Sequence, residues 1–405
     1  MFLRLVQRIL ERLRHGRLHL VFDGHARTYG DPASRLDAEL RVHDESFFRD
    51  VVLQGEIGLG RSYVAGKWSS PDLENLTLVL QLNVDAFLPM MRNGKILLFR
   101  PRLLERLKQT RLWRQRRSTL EHVRDKMASS YGVGNDFFRY VLGPCMQYSC
   151  AIWASAGDSL EQAQQHKIDV LIDKLGLSDG HRVLDVGCGW GTLLQAIRSR
   201  YDCAVRGIAA EQKQIEYCRD RLPEGRFDRL DYRDLTEEQS YDRIVSVGMI
   251  EHVGHDYVQT FMDAVARLLK PGGRAVLHTI IAGQTIDVEP GVHFDTFVSS
   301  TVMPVGYIPT YTELTQAIYR SKDLHPIHLE CFGQHYGKTM REWRRNLLDH
   351  AESIAGLYSE EHVRTYDYIY GLNSGSFTAG NLDLLQIVVE KGPPSNDMAL
   401  YDPRA

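Results

Sequence analysis

No apolar run in the 405-residue chain approaches the roughly 20 residues that a membrane-crossing helix requires. Residues 1–16 lack a long apolar stretch and a small-residue cleavage site, so no secretory leader is expected there. The six cysteines (Cys145, Cys150, Cys188, Cys203, Cys218 and Cys331) include no C-x-x-C pair. That argues against a disulfide framework or a structural zinc, and for a reducing, cytoplasmic setting. His252 and His255 have metal-like spacing but no third ligand at a regular interval, so no metal is expected. An excess of one charge is also missing overall, with 49 Lys+Arg against 52 Asp+Glu. The balance is uneven along the chain, however. Residues 1–125 carry 22 basic against 15 acidic groups, and the remainder 27 against 37. A basic N-terminal part suits a polyanion or an anionic surface.

That part contains two basic segments. Residues 2–15 space Phe2, Leu3, Leu5, Val6, Ile9, Leu10 and Leu13 as one face of a helix, with Arg4, Arg8, Arg12 and Arg14 on the rest. Such a helix can lie in a membrane interface or pack on its own domain. From Arg92 to Arg117 there are ten basic residues and one acid, Glu105, interleaved with leucines and Trp113. Anionic lipid headgroups suit this pattern, and nucleic acid is disfavoured because no recognisable motif surrounds it. Between the two, strand-like pieces at 18–22 and 38–42, a helix at 45–53 and a glycine-spaced run at 55–66 read as a small α/β domain.

The central stretch is Val183-Leu184-Asp185-Val186-Gly187-Cys188-Gly189-Trp190-Gly191. An apolar run around Asp185 reads as a buried parallel strand, and three glycines at every second position turn it into a helix from Thr192 to Tyr201. This strand–turn–helix is a nucleotide-type cradle, but its spacing is not the G-x-G-x-x-G of dinucleotide enzymes. It resembles motif I of the S-adenosylmethionine (SAM) methyltransferases, in which a carboxylate and backbone carbonyls meet the ammonium of the ligand. Further strands are expected at 205–209, 229–231, 243–247 and 275–281, with a late pair at 327–331 and 384–390. Together they predict an α/β fold with a seven-stranded doubly wound (Rossmann-like) sheet, which with the resemblance at motif I implies a class I methyltransferase domain, beside a smaller N-terminal α/β domain. The boundary is expected near residue 120, giving units of 1–120 and 121–405. Residues 282–312 and 338–372 break the rhythm and read as lids or substrate walls.

At the end of the second strand Glu211, Gln212 and Gln214 are candidates for the ribose hydroxyls, and Asp231 after the third is a candidate acceptor for the adenine amino group. Glu251, His252 and His255 follow the fourth strand, His278 ends the fifth and Tyr336 follows the sixth. Ionisable groups gathered at strand C-termini beside the cofactor edge indicate a site.

Tyr148-Ser149-Cys150-Ala151, Val183 to Gly191, Glu251-His252-Val253-Gly254-His255, Leu277-His278-Thr279-Ile280 and His335-Tyr336-Gly337-Lys338-Thr339 resemble the cyclopropane-fatty-acyl-phospholipid synthases and the mycolic acid cyclopropane synthases. The resemblance covers residues 120–392 in matching motif order and extends to the N-terminal region. It implies methyl transfer from SAM to a cis double bond of a phospholipid acyl chain, followed by deprotonation and ring closure. It also implies a bicarbonate site at Cys150 and Ile280 (through backbone N–H), Glu251, His278 and Tyr336. The implied SAM contacts are Tyr148, Ser149, Asp185, Gly187, Cys188, Gly189, Gly191, Ala209, Glu211, Gln212, Gln214, Asp231, Tyr232 and Arg233. A homodimer, peripheral on the cytoplasmic side of the inner membrane, is expected. Two departures stand out: Ala209-Ala210-Glu211 where the family often has a hydroxyl-bearing run, and Asn373-Ser374 where many members carry a cysteine. The alternatives are a fatty-acyl C-methyltransferase with a branched or methylene product, and a lipid-surface binding protein with a degenerate SAM fold.

Overall fold

The computed structural model describes residues 1–87, 134–283, 296–302 and 307–392. The basic run from Arg92 to Arg117 and the expected boundary near residue 120 lie outside the described residues. The chain forms two compact units that interleave in sequence. One comprises Met1–Leu142, Gly283–Val305 and Tyr336–Leu382; the other comprises Gly143–Ala282, Gly306–His335 and Asp383–Ala405. Most of both stretches read as insertions from the sequence therefore cluster with the N-terminal region.

The first unit holds a four-stranded sheet of order β2-β1-β3-β4, with β1 Arg17–Phe22, β2 His25–Gly30, β3 Asp37–Val42 and β4 Trp68–Ser69. Asp23 and Gly24, both at positive φ, close the β1–β2 hairpin, as a two-residue turn matched to strand twist requires. The basic N-terminal helix is shorter than expected, Phe2–Leu10, and buries Val6 and Leu10 while Arg4 and Arg8 face solvent. The glycine-spaced run from Gly55 to Gly66, to which the sequence reading gives no element, is the helix Glu56–Val64. Its glycines serve packing: a Cβ at Gly58 would run into the Asp50 backbone carbonyl, and one at Gly60 would lie 2.5 Å from the Phe297 ring. The late helix Glu360–Thr378 crosses Leu73–Leu82 equally closely, since a Cβ at Gly375 would meet the Thr77 backbone at 2.8 Å. Thr77 Oγ1 donates to Gly371 O at 2.8 Å in that crossing. Beside it Arg344 pairs with the buried Asp367 at 2.7 Å, and the Tyr63 hydroxyl donates to the same carboxylate. These long-range contacts make residues 336–382 part of this core.

The second unit is the seven-stranded sheet, with order β10-β11-β9-β8-β5-β6-β7. Its strands are β5 Arg182–Val186, β6 Ala204–Ala209, β7 Arg226–Arg229, β8 Tyr241–Val247, β9 Leu269–Ala282, β10 Leu324–Cys331 and β11 Leu382–Lys391. β5 runs parallel to β6 and β8, β6 to β7, and β8 to β9, while β10 and β11 are antiparallel. The apolar strands are sealed on both faces. Leu184, Ile244, Ala275 and Leu277 pack into one core, and Val183, Val205, Val245 and Val276 into the other. That burial on both faces is why these strands read as continuous apolar runs. The chain leaves β5 in one direction for β6 and β7, and returns on its other side through β8. The reversal opens a crevice at the carboxyl end of β5, where ligands of such sheets bind. β7 sits three residues before its expected place, so Asp231 instead caps the short turn Tyr232–Asp234. The helix Leu160–Leu175, closed by a Ser159/Gln162 capping box and by Gly176 in the left-handed region, crosses one face.

Candidate functional site

Gly187, Gly189 and Gly191 all take positive φ and carry the chain from β5 into the helix Thr192–Arg200. A Cβ at Gly187 would crowd Met249 at 3.0 Å and one at Gly191 would meet Cys218 Sγ at 2.9 Å. At Gly189 it would meet nothing within 4 Å. The outer two glycines are thus needed by the protein, and the middle one faces open space where a ligand can approach the backbone. Asp185, next to this turn, is 2% exposed, and its Oδ1 is buried with no hydrogen-bond partner among the described residues. Burial pushes its pKa up to about 7, opposed by the nearby Lys167 ammonium. A buried acceptor awaiting a donor, beside an open glycine turn, fits the ammonium of SAM.

Lys167 has no counterpart in the sequence reading. It is 1% exposed, burial drives its pKa down to about 7, and its Nζ donates to Ser149 Oγ at 2.7 Å. Three residues earlier Gln164 donates to Ser149 O at 3.0 Å. The helix Leu160–Leu175 thereby fixes the Tyr148–Ser149 segment beside motif I. The i, i+3 pair of a Gln and a Lys on an otherwise apolar helix face was the available signal.

On the other side of motif I, Glu211 caps the helix Gln212–Arg221, its carboxylate accepting from Lys213 N at 3.4 Å. Gln212 donates to Glu216 at 2.9 Å, while Gln214 is buried and Ala209 ends β6 in the core. Asp231 is engaged by Arg233 in a fork, at 2.8 Å from Nε and 2.7 Å from the terminal nitrogen. The Tyr232 ring is 3% exposed and packs edge-on against Phe261, so its side chain serves the core and its backbone is what it can offer a ligand. The Cys188 side chain is likewise buried, under β6.

Glu251 lies in a short turn after β8 and is 3% exposed. Its Oε2 accepts from Thr279 Oγ1 at 2.9 Å, and the Ile280 N–H also bonds the carboxyl group. Burial pushes its pKa up to about 7 against those donors. His278 on β9 is 1% exposed and is held well below the ordinary imidazole range by burial and by Lys167 and Lys174. Its carbonyl accepts from Gly248 N at 2.8 Å, which ties the ends of β8 and β9 together. Cys150 is fully buried, with its thiol 3.2 Å from Ala151 O and 4.0 Å from Phe332 O. Trp153 N donates to His335 Nδ1 at 2.9 Å, so the loop after Cys150 is pinned to the segment after β10. These groups share the second unit and the carboxyl edge of its sheet. Tyr336, counted with the first unit, begins there with its ring stacked on Phe377 at 4.4 Å. Ser374 in the same unit donates to Gly337 O at 3.1 Å, a helix-to-helix contact. His255 is outside this grouping, exposed and bonded to Glu313 at 3.0 Å. Among the described residues no cluster of three or more His, Cys, Asp or Glu could hold a metal.

A glycine turn and a buried carboxylate at the switch point of a seven-stranded sheet define a SAM-dependent methyltransferase of class I. The model of the mycolic acid cyclopropane synthetase family matches residues 118–387, and the chain belongs to that family and is an enzyme of that kind. It is 35% identical over 362 residues to the cyclopropane-fatty-acyl-phospholipid synthase of Escherichia coli strain K12, covering 88% of each chain. It is 29% identical over 415 residues to the tuberculostearic acid methyltransferase UfaA1 of Mycobacterium tuberculosis, covering 96% of this chain and 92% of that one. The crystal structure of the mycolic acid cyclopropane synthase CmaA1 complexed with SAH and CTAB superposes with a TM-score of 0.61 at 26% identity, over 66% of this chain and 98% of that one. SAM is therefore the cofactor of this chain.

Proposed function

We propose that the protein transfers the SAM methyl group to a cis double bond of an unsaturated acyl chain in a membrane phospholipid, then removes a proton so that a cyclopropane ring closes. The observation that carries the second step is the buried Glu251–Thr279–Ile280 cluster beside His278 at the carboxyl edge of the sheet.

SAM supplies an electrophilic methyl group, and an alkene needs no base to attack it. The residues around motif I have the task of holding the donor still: Asp185 takes its ammonium, Gly189 lets the backbone approach, and Tyr148 and Ser149 are set in place by Lys167 and Gln164. Glu211, Gln212 and Gln214 take the ribose, and Asp231 with the backbone of Tyr232 and Arg233 takes the adenine. Aligning the alkene with the methyl donor can supply a large part of the rate of such a step.

Ring closure does need a base, and bicarbonate held at Glu251, His278, Tyr336 and the backbone of Cys150 and Ile280 would supply it. Glu251 suits an anion only as the neutral acid, and burial favours that form up to about pH 7. A neutral carboxyl, an imidazole and a phenol together offer a small oxyanion both donors and acceptors. No helix among the described residues is long and apolar enough to cross a membrane. We assign contact with the phospholipid surface to the basic first unit, whose Arg4, Arg8, Arg12 and Arg14 are exposed.

The test is turnover of unsaturated phospholipid vesicles by Glu251→Gln and Tyr336→Phe, with and without bicarbonate. SAM affinity should stay near normal while product formation falls by about 2 to 4 orders of magnitude, the range for a positioned base. Wild-type rates in both variants remove the bicarbonate site. Methyl transfer without ring closure is the second reading, favoured by similarity to a tuberculostearic acid methyltransferase over nearly the whole chain.

A further inference from the structure

Behind His278 stands a row of side chains that the chemistry above leaves unused. Lys174, in the last turn of the helix Leu160–Leu175, donates to Gln386 Oε1 at 2.6 Å and to Glu330 Oε2 at 2.6 Å. Glu330 and Gln386 face each other across the β10–β11 ladder, so one lysine bridges the pair. Gln386 is fully buried, and its Nε2 lies 3.0 Å from His278 Nδ1.

The protons in this row follow from elementary chemistry. An ammonium can only donate, so the amide of Gln386 must turn its oxygen toward Lys174. Its NH2 group then faces His278, and Nδ1 has to accept. An imidazole that accepts at Nδ1 is neutral and carries its proton on Nε2. His278 Nε2 is itself buried with no hydrogen-bond partner among the described residues.

We infer that Lys174 and Gln386 are positioning residues that lock His278 in its Nε2–H tautomer, so that the ring offers a donor to a bound oxyanion. The inference rests on the anion-site reading of His278 above. The opposite tautomer would present a lone pair to the anion, and an imidazolium would set two N–H groups against each other at Gln386. A glutamine is suited to this place because a carboxylate there could only accept, and so would favour the tautomer with its proton on Nδ1.

The test is a long-range 1H–15N correlation on the intact protein labelled with 15N-histidine, with His278 assigned by its loss in His278→Gln. Wild type should show Nδ1 bare and Nε2 protonated across the neutral range. Gln386→Glu should protonate Nδ1, and Gln386→Leu should replace the single tautomer with a mixture. Lys174→Met, which frees the amide to rotate, should also give a mixture and serves if a Gln386 variant does not fold. A wild type protonated at Nδ1 overturns the inference, as does a wild-type signature persisting in every folded variant. In the same preparations Gln386→Glu should raise the bicarbonate concentration for half-maximal rate by about 10- to 100-fold, the range for one hydrogen bond to a charged group. If Nδ1 protonates while bicarbonate dependence is unchanged, the lock on the tautomer stands and His278 leaves the anion site.

Discussion

At Gly189 a side chain has room but not the right backbone. Its φ of +53° suits glycine, and a Cβ would point into the open space of the cofactor turn. Gly189→Val should cost about 1 to 3 kcal/mol of stability through backbone strain and weaken SAM binding by more than about tenfold. Calorimetry on the folded variant decides it, and unchanged affinity would remove the turn from the cofactor site. Glu251 gives a second test through pH. Its carboxyl stays protonated in the folded protein up to about pH 7, whereas the unfolded chain releases that proton near 4.5. Between those values the unfolded state binds fewer protons, so this group's contribution to stability falls as pH rises and levels off above about 7. Glu251→Gln lacks the titration. Its stability relative to wild type should therefore rise across the window, by about 3 kcal/mol at most for a shift of this size. Urea unfolding of both proteins at about pH 5 and about pH 8 measures it. A constant difference would contradict the raised pKa.

Among the elements, those built from local pattern were legible and those built from distant contact were not. β5, β6, β8 and β11 lie close to where apolar runs between turn residues put them, because a strand sealed on both faces writes a continuous apolar run, while β9 begins six residues before its expected start at 275. The helix Glu56–Val64 was hidden by its own glycines, which exist to admit Asp50, Phe297 and Tyr368. Glu251 and His278 could be read as strand-end groups, and the family resemblance gave them roles. Gln164 and Lys167 leave only the trace of two polar groups on an apolar helix face, whereas Lys174 and Gln386 leave none, because their partners lie 212 and 108 positions away. The Gly371–Gly375 crossing has a direct test. Gly375→Val places a branched Cβ against the Thr77 backbone, and should lower stability by about 1 to 3 kcal/mol, seen as an earlier thermal transition. An unchanged transition would mean the two helices are not held at that distance. The basic segment from Arg92 to Arg117 makes a different demand. If it docks on anionic headgroups, vesicle binding should weaken steeply with salt, since exposed charges are screened within about 8 Å at physiological ionic strength. Charge-neutral substitutions at Arg111, Arg114, Arg116 and Arg117 should weaken it at low salt, and salt-independent binding would assign the membrane contact elsewhere.

For the whole molecule, sequence order and compact unit do not coincide. The first unit takes its N-terminal region and two later segments, 283–305 and 336–382, from opposite ends of the chain. A linear reading treats those segments as lids on the sheet because nothing local reveals a partner hundreds of positions away, such as Thr77 for Gly371. The sheet unit holds the turn proposed for the cofactor, together with Cys150, Glu251, His278 and Ile280. Methyl transfer and proton removal are thus separable demands, and the product reports whether both are met. The most direct measurement is proton NMR with mass spectrometry of the acyl chains formed when the purified enzyme, SAM and bicarbonate act on vesicles of a cis-unsaturated phospholipid. Each converted chain should gain one CH2 unit, lose its olefinic protons and show the upfield signals of a cyclopropane ring. A chain that gains the same mass but carries a methylene or methyl branch would contradict ring closure.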